Sequence, residues 1–162
     1  DIKIRKAEMA DIDRLMEIFS VARSFMASSG NPNQWINGYP QKELILKEIE
    51  NNHCYVCVDS YDKAIATFCL IQGPDPTYSY IEDGEWPDDY PYYVIHRLAS
   101  DGSIKGIASK CIDWCSGVSS CLRADTHNDN KVMQHLLEKN GFVKCGIIYV
   151  ANGTPRIAYQ KS

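Results

Sequence analysis

A run of small and flexible residues, Ser103-Ile104-Lys105-Gly106-Ile107-Ala108-Ser109, stands between an apolar, β-branched segment and a stretch of helical periodicity. Such a junction presents the unpaired N–H groups of a helix start together with the positive end of its dipole, and both favour a phosphate. Gly102 and Gly106 permit close approach to the backbone, Ala108 and Ser109 leave the first turn uncrowded, and Lys105 adds a positive charge. The chemistry predicted is retention of a phosphorylated cofactor. Lys105 precedes Gly106 instead of following it, so the Walker arrangement is absent, and so is the dinucleotide G-x-G-x-x-G pattern.

Other groups of reactive residues point less far. Asp125, His127 and Asp129 alternate as oxygen and nitrogen ligands on one strand face would, but Asn128 predicts a turn into a helix that breaks the alternation, and no metal site is expected. Cys54 and Cys57, three apart in a strand, face opposite sides and cannot share a metal. Cys111 and Cys115 lie on the same helical side as Ile104, Ile107 and Ala108 and read as core. The seven cysteines are an odd number, scattered singly, as suits reduced thiols. His96 lies in a strand and has a side chain suited to proton transfer near neutrality.

These residues must be positioned by a chain of 162 residues, 44% of them hydrophobic, which suffices for one domain spanning 1–162 with its own core. The net charge of −4 and the lack of a Lys/Arg cluster argue against nucleic acid as a partner. The longest apolar runs, such as Ala64 to Ile71, are far too short for a bilayer, and the charged start at Asp1, Lys3 and Arg5 precedes no signal-like stretch; a cytoplasmic protein is expected.

The periodicities predict a strand at Ile2 and Ile4, a helix capped by Asp11 with Leu15, Met16 and Phe19 inward, and a second helix from Pro40 carrying Leu44, Ile45 and Ile49. Cys54 to Val58 and Ala64 to Ile71 read as a hairpin. Gly73 to Pro91 is an aperiodic loop whose length suggests function. Tyr92 to Ser100 is a strand, and helical spacing begins at Ile104. Cys121 to Thr126 is the next strand; Asn128 or Asp129 caps a helix with Met133, Leu136 and Leu137 inward, ended by Asn140-Gly141. Phe142 to Val150 and Pro155 to Gln160 form a last hairpin around Asn152-Gly153.

With this order of elements, Ser103-Ile104-Lys105-Gly106-Ile107-Ala108 resembles the Gln/Arg-x-x-Gly-x-Gly/Ala turn of the GNAT acetyltransferase superfamily. Asn130 followed by Leu136-Leu137-Glu138-Lys139-Asn140-Gly141-Phe142 is similar to that family's Asn…Leu-Tyr-Glu-Lys-x-Gly-Phe block at the matching spacing. The resemblance covers nearly the whole chain. It implies a mixed α/β (α+β) fold, a mixed central sheet flanked by helices, and an acetyl-CoA site between splayed parallel strands.

Carried over, Leu98, Ala99 and Ser100 meet the pantetheine through their backbone. Ile104, Lys105, Gly106, Ile107, Ala108 and Ser109 cradle the pyrophosphate behind Ser103, Asn130 contacts the coenzyme, and Lys139 reaches its phosphates. The turn departs from the family at Ser103, where Gln or Arg is usual. Leu137 stands where many members place the tyrosine that protonates the leaving thiolate, so that role does not carry over.

Acetyl transfer to a primary amine needs a base, donors to the carbonyl oxygen and a proton for the departing sulfur. The candidates are Asp125, where some members carry a catalytic Glu, His96 on the strand flanking the coenzyme, and Tyr149, a phenol that could replace the missing tyrosine. Trp35, Tyr39, Tyr78, Tyr80, Trp86 and Tyr90 either shape the acceptor pocket or pack loops onto the core. Glu82, Asp83, Glu85, Asp88 and Asp89 either attract a cationic amine or solvate their loop. The expected acceptor is a small-molecule or peptide amine, and a homodimer is left open. Two rival functions stand beside transfer: a non-catalytic acyl-CoA-binding or sensing domain, and a metal-dependent hydrolase at Asp125 and His127.

Overall fold

The β-branched and aromatic segments pair into one seven-stranded sheet in the computed structural model, which describes residues 1–162. The strands are β1 (Lys3–Lys6), β2 (Cys54–Val58), β3 (Ala64–Gln72), β4 (Tyr93–Ser100), β5 (Leu122–Thr126), β6 (Val143–Tyr149) and β7 (Pro155–Lys161). The helices are α1 (Ile12–Ser28), α2 (Lys42–Glu50), α3 (Ile107–Val118) and α4 (Lys131–Lys139). The order across the sheet is β1-β2-β3-β4-β5-β7-β6, and only β4 and β5 run parallel. This is the expected mixed α/β architecture.

Alternation divides the core between the two faces. Cys57, Phe68, Ile95, Ala124 and Tyr159 pack with Ile112 and Cys115 of α3 and Leu137 of α4 on one face. Cys54, Val56 and Cys69 pack with Leu15, Phe19 and Ile45 of α1 and α2 on the other. Cys54 and Cys57 thus fall into different cores. The second face continues over β5, β7 and β6, where no helix covers it. There the 73–91 segment lies across the sheet, with Tyr78 and Tyr92 packed on Val94, Ile148 and Ala158.

That covering segment is fixed at several points. Glu82 and Ile147 exchange backbone bonds of 2.9 and 2.8 Å. The approach is so close that a Cβ on Gly84 would lie 2.0 Å from the Cys145 carbonyl oxygen, and one on Gly146 would lie 2.7 Å from that of Glu82. Arg123 projects from β5 between Trp86 and Tyr92, its guanidinium 3.9 and 4.0 Å from their ring centroids, and donates to Gln160 Oε1 and the Asp88 carbonyl. The long loop is therefore a built lid over half of one face.

Three boundaries differ from expectation. Asp11 directly precedes α1 but does not cap it; its carboxylate holds Arg5 (2.9 and 3.0 Å) and the Glu8 N–H, closing a single 3₁₀ turn ahead of the helix. α3 begins at Ile107, so Ile104 lies outside it and is exposed. α4 is capped by Asn130, whose Oδ1 accepts from Met133 N at 2.9 Å, and not by Asn128 or Asp129.

The departure from a regular sheet that matters most lies in its middle. The β4–β5 ladder consists of Tyr93 with Leu122 and Val94 with Arg123, and beyond these pairs the strands part. A bulge bends β4 there: Arg97 has φ +56°, opposite a register shift between Thr67 and Cys69 of β3. Backbone groups of Ile95 to Ser100 that a continuous sheet would consume are left facing the opening.

Candidate active site

Two connected cavities occupy this opening. The outer one, a groove of about 320 Å³, runs between the end of β4 (Leu98, Ala99, Ser100), the start of α3 at Ala108, and α1 and α4. The inner one, a chamber of about 50 Å³, is lined by Gln34, Trp35, Ile95, Arg97, Asp125 and Leu137 among others. Met26, Leu98 and Met133 border both.

At the outer end, Gly106 takes φ +82° in front of α3, a conformation that costs other residues about 1–2 kcal/mol. A Cβ there would meet no protein atom within 4 Å, so the space in front of it is open. The first helical bond of α3 is Lys110 N to Gly106 O, which leaves the N–H groups of Ile107, Ala108 and Ser109 without helical acceptors. Ser103 donates its N–H and hydroxyl to Asp101 Oδ1 at 2.9 and 2.6 Å, and Arg14 holds the other oxygen of Asp101 at 2.6 Å. Where the sequence departs from the usual turn, Ser103 thus locks the turn onto α1.

At the inner end, Asp125 takes a hydrogen bond from the Tyr78 hydroxyl at Oδ2 (2.7 Å). Burial raises its pKa above the ordinary carboxylate value; His96, the Tyr78 bond and Arg156 act in the opposite direction without cancelling it. His96, on the same face of β4, lies with Nε2 3.2 Å from Asp75 Oδ2. Asp75 is itself buried, yet the bonds from His96 and Thr77 bring its pKa down to about 2. An ionised carboxylate only accepts, so His96 Nε2 carries the proton of that bond.

A second network closes the chamber wall. Gln34 Oε1 accepts from Asn31 Nδ2 (3.0 Å), Asn130 Nδ2 (3.0 Å), Thr126 Oγ1 (3.2 Å) and the His127 N–H (3.3 Å). Arg97, turned inward by the bulge, donates to Tyr39 Oη and Glu48 Oε2, both at 2.9 Å. Trp35 packs edge-on between Phe19 and Tyr39.

The fold that frames this opening is also found in solved structures. A GNAT-family acetyltransferase from Streptococcus agalactiae 2603 is 30% identical with a TM-score of 0.90, covering 99% of this chain and 94% of that one. This chain belongs to the GNAT acetyltransferase family. A GNAT-family acetyltransferase from Listeria monocytogenes 4b F2365 (18% identical, TM-score 0.70, 99% and 94% covered) shares the fold. So does the ribosomal-protein-S18-alanine N-acetyltransferase of Escherichia coli (11%, TM-score 0.65, 99% and 93%). No protein-family profile matches the chain, and no curated protein matches it by sequence.

Measured against the GNAT expectation, Leu98, Ala99, Ser100, Ala108 and Asn130 all border the groove. Ile107 is buried with its side chain in the core, so only its backbone is available. Ser109 is tied to Asn140, whose Nδ2 donates to its hydroxyl at 3.1 Å. Lys105 and Lys139 are exposed, on the turn and on the last turn of α4. Asn130 uses its side chain to cap α4 and to hold Gln34, so it shapes the groove as a strut.

Of the three candidates for proton transfer, His96 and Asp125 come together and Tyr149 does not. Tyr149 sits on the edge strand β6, exposed, with its hydroxyl on Glu82 Oε2 at 3.2 Å, beyond β7 from the opening. It pairs with Pro155 at the turn end of the hairpin. The aromatic loop residues divide: Trp35 lines the chamber, Tyr39 holds Arg97, Tyr78 holds Asp125 and Trp86 stacks on Arg123, while Tyr80 and Tyr90 are exposed. Asp75, Gln34 and Arg156 were not expected at the site. No group of three or more His, Cys, Asp or Glu side chains is placed to hold a metal; His127 Nδ1 instead accepts the Asp129 N–H at 3.0 Å. No helix is long and apolar enough to cross a membrane.

Proposed function

We propose that the protein transfers the acetyl group of acetyl-CoA directly to a primary amine, with the coenzyme in the groove and the amine in the chamber. The observation that carries this reading is Asp125: a buried carboxylate of raised pKa at the inner end of a backbone-lined opening. The groove suits the coenzyme because its walls are small or apolar, its strand edge offers unpaired backbone, and the space before Gly106 is open. Leu98, Ala99 and Ser100 would hold the pantetheine, the turn from Ser103 and Ile104 through Gly106 to Ser109 the pyrophosphate, and Lys105 and Lys139 the outer phosphates. Acetyl-CoA supplies the acetyl group as a thioester.

Asp125 attracts the amine as its ammonium and accepts the proton that the amine must lose to become a nucleophile. Its elevated pKa makes that proton easier to take. Tyr78 fixes one carboxylate oxygen, leaving Oδ1 for the acceptor. His96, held by Asp75, stands on the same face and contributes to the charge that Asp125 feels. Leu137 contributes an apolar wall, so the departing sulfur has no phenol from that position.

The test is coenzyme binding by calorimetry together with thiol release from acetyl-CoA over a panel of amino acids, polyamines, aminoglycosides and peptides. Amine-dependent thiol release supports transfer. Absence of acetyl-CoA binding at millimolar concentration overturns the reading, and binding without release by any amine assigns the groove to acyl-CoA retention instead.

A further inference from the structure

Three arginines lie on the sheet face that carries the chamber, and two are fully accounted for. Arg97 is paired with Glu48, and Arg123 lies between two aromatic rings with Gln160 as its acceptor. Arg156 of β7 is 6% exposed and has neither an acid nor a ring. Its bonds are from Nη1 to Thr154 Oγ1 (3.0 Å) and the Pro155 carbonyl (2.8 Å), and from Nη2 to the Gln34 carbonyl at 3.5 Å.

The Nε–Nη2 edge, the side that grips a carboxylate through two parallel bonds, is therefore left with one marginal contact. Asn31 Oδ1 is the only fully enclosed side-chain polar atom without a partner, so the unbonded Nε of Arg156 reaches accessible space. A buried guanidinium with no carboxylate bonded to it is costly unless something completes it.

Its position says what that something is. Asp125 pairs with Ala158, and Arg156 is two residues along β7, so both side chains emerge on one face as diagonal neighbours, with Cα atoms roughly 7–8 Å apart. They feel each other's charge but form no bond. Gln34 meets both sides: its carbonyl accepts from Arg156, and its side chain lines the chamber with Asp125. The His127 N–H identifies its Oε1 as the acceptor, so its Nε2 is the free end, a further donor on a side chain that lines the chamber.

We infer that the acceptor is a free amino acid, its ammonium on Asp125 and its carboxylate on the Nε–Nη2 edge of Arg156 with Gln34 Nε2 beside it. The rest of the chamber wall, Met26, Trp35, Ile95, Met133 and Leu137, suits an apolar side chain. This rests on the reading of the chamber as the amine site and adds to it the substrate class and a specificity residue.

The experiment pairs each amino acid with the amine that lacks its carboxylate: leucine with 3-methylbutylamine, phenylalanine with phenethylamine. Binding is read by calorimetry and turnover by thiol release, in the wild type, R156Q and R156K. The wild type is expected to favour the amino acid about a hundredfold in kcat/KM and in binding. R156Q removes that preference without a comparable loss on the plain amine. R156K, which keeps charge but not the fork, falls between.

Equal use of both members of a pair by the wild type overturns the inference while leaving amine transfer intact. An unchanged preference in R156Q overturns the role of Arg156. Amino-acid binding that R156Q abolishes, without thiol release in the wild type, keeps the inference and overturns the transfer reading. Circular dichroism checks each variant's fold, and the wild-type comparison needs no variant.

Discussion

The groove and the chamber share three wall residues and one gap in the sheet, but they are built from different materials. The groove offers backbone: the unpaired edge of β4 after Val94, the N–H groups of Ile107 to Ser109, and Gly106 with open space before it. The side chains nearest it are mostly spent on holding the frame, Ser103 on Asp101, Ser109 on Asn140, Asn130 on α4 and Gln34. The chamber offers side chains: Asp125 and Gln34 on its wall, with His96 and Arg156 behind them on the same sheet face, each placed by a partner from a distant part of the chain. A ligand held by backbone tolerates side-chain change. A reaction run by side chains does not, and that difference orders the expected effects.

The largest effect is expected from Asp125→Asn. The amide can still accept from Tyr78, so the cluster keeps its shape, but it cannot take a proton. Thiol release at saturating amine is expected to fall about a thousandfold with acetyl-CoA affinity unchanged. Stability should move the other way. The folded pKa of Asp125 is raised, so between the unfolded value near 3.8 and the folded value the native state holds a proton that the unfolded state has lost, and stability falls as pH rises through that window. The asparagine variant escapes this loss and should melt no lower than the wild type at neutral pH. A kcat within tenfold of wild type, or a lower melting temperature at neutral pH together with lost activity, would remove Asp125 from the role of base.

The same contrast is tested from the groove by Gly106→Val. A Cβ there meets no protein atom within 4 Å, so the main cost to the free protein is the left-handed backbone, at least about 1–2 kcal/mol. The coenzyme is expected to lose roughly thirtyfold or more in affinity, since the added methyls occupy the space before the N–H groups of α3. Calorimetry and a thermal melt separate the two quantities. Unchanged acetyl-CoA affinity would place the coenzyme elsewhere than on this turn.

The two regions also differ in how much of each was legible in the amino-acid sequence. The strand, glycine turn and helix that make the groove are contiguous, from Tyr93 to Val118, and local signals find contiguous structure: β-branched residues, then small ones, then helical spacing. Even so, α4 was expected to be capped by Asn128 or Asp129 and is capped by Asn130, because a run of polar residues gives no sign of which one the helix will use. The chamber is assembled across 122 positions, as in the contact of Arg156 with Gln34. Asp75 and Tyr78 lie in an aperiodic stretch whose path over the sheet is set by contacts with β6 that no spacing announces. Tyr149 illustrates the reverse error. Strand periodicity places it correctly on β6, but which strand is the edge follows from the order β5-β7-β6, a tertiary fact.

The smallest effect is expected where that error was made. Tyr149→Phe removes one exposed hydroxyl bond to Glu82 at 3.2 Å, on a strand separated from β5 by β7. An exposed bond of this length is replaced by water with little change in free energy, and nothing ties the ring to Asp125 or His96. Turnover is expected to stay within twofold of the wild type at every amine concentration. This null result sharpens the comparison only beside a positive one. Tyr78→Phe removes a buried hydroxyl from the carboxylate that takes the proton, so the two tyrosine variants, identical in chemistry, should separate by their distance from Asp125. If Tyr149→Phe were the slower enzyme, the phenol on the edge strand would have to reach the opening, and the assignment of proton transfer to the chamber's own residues would fail.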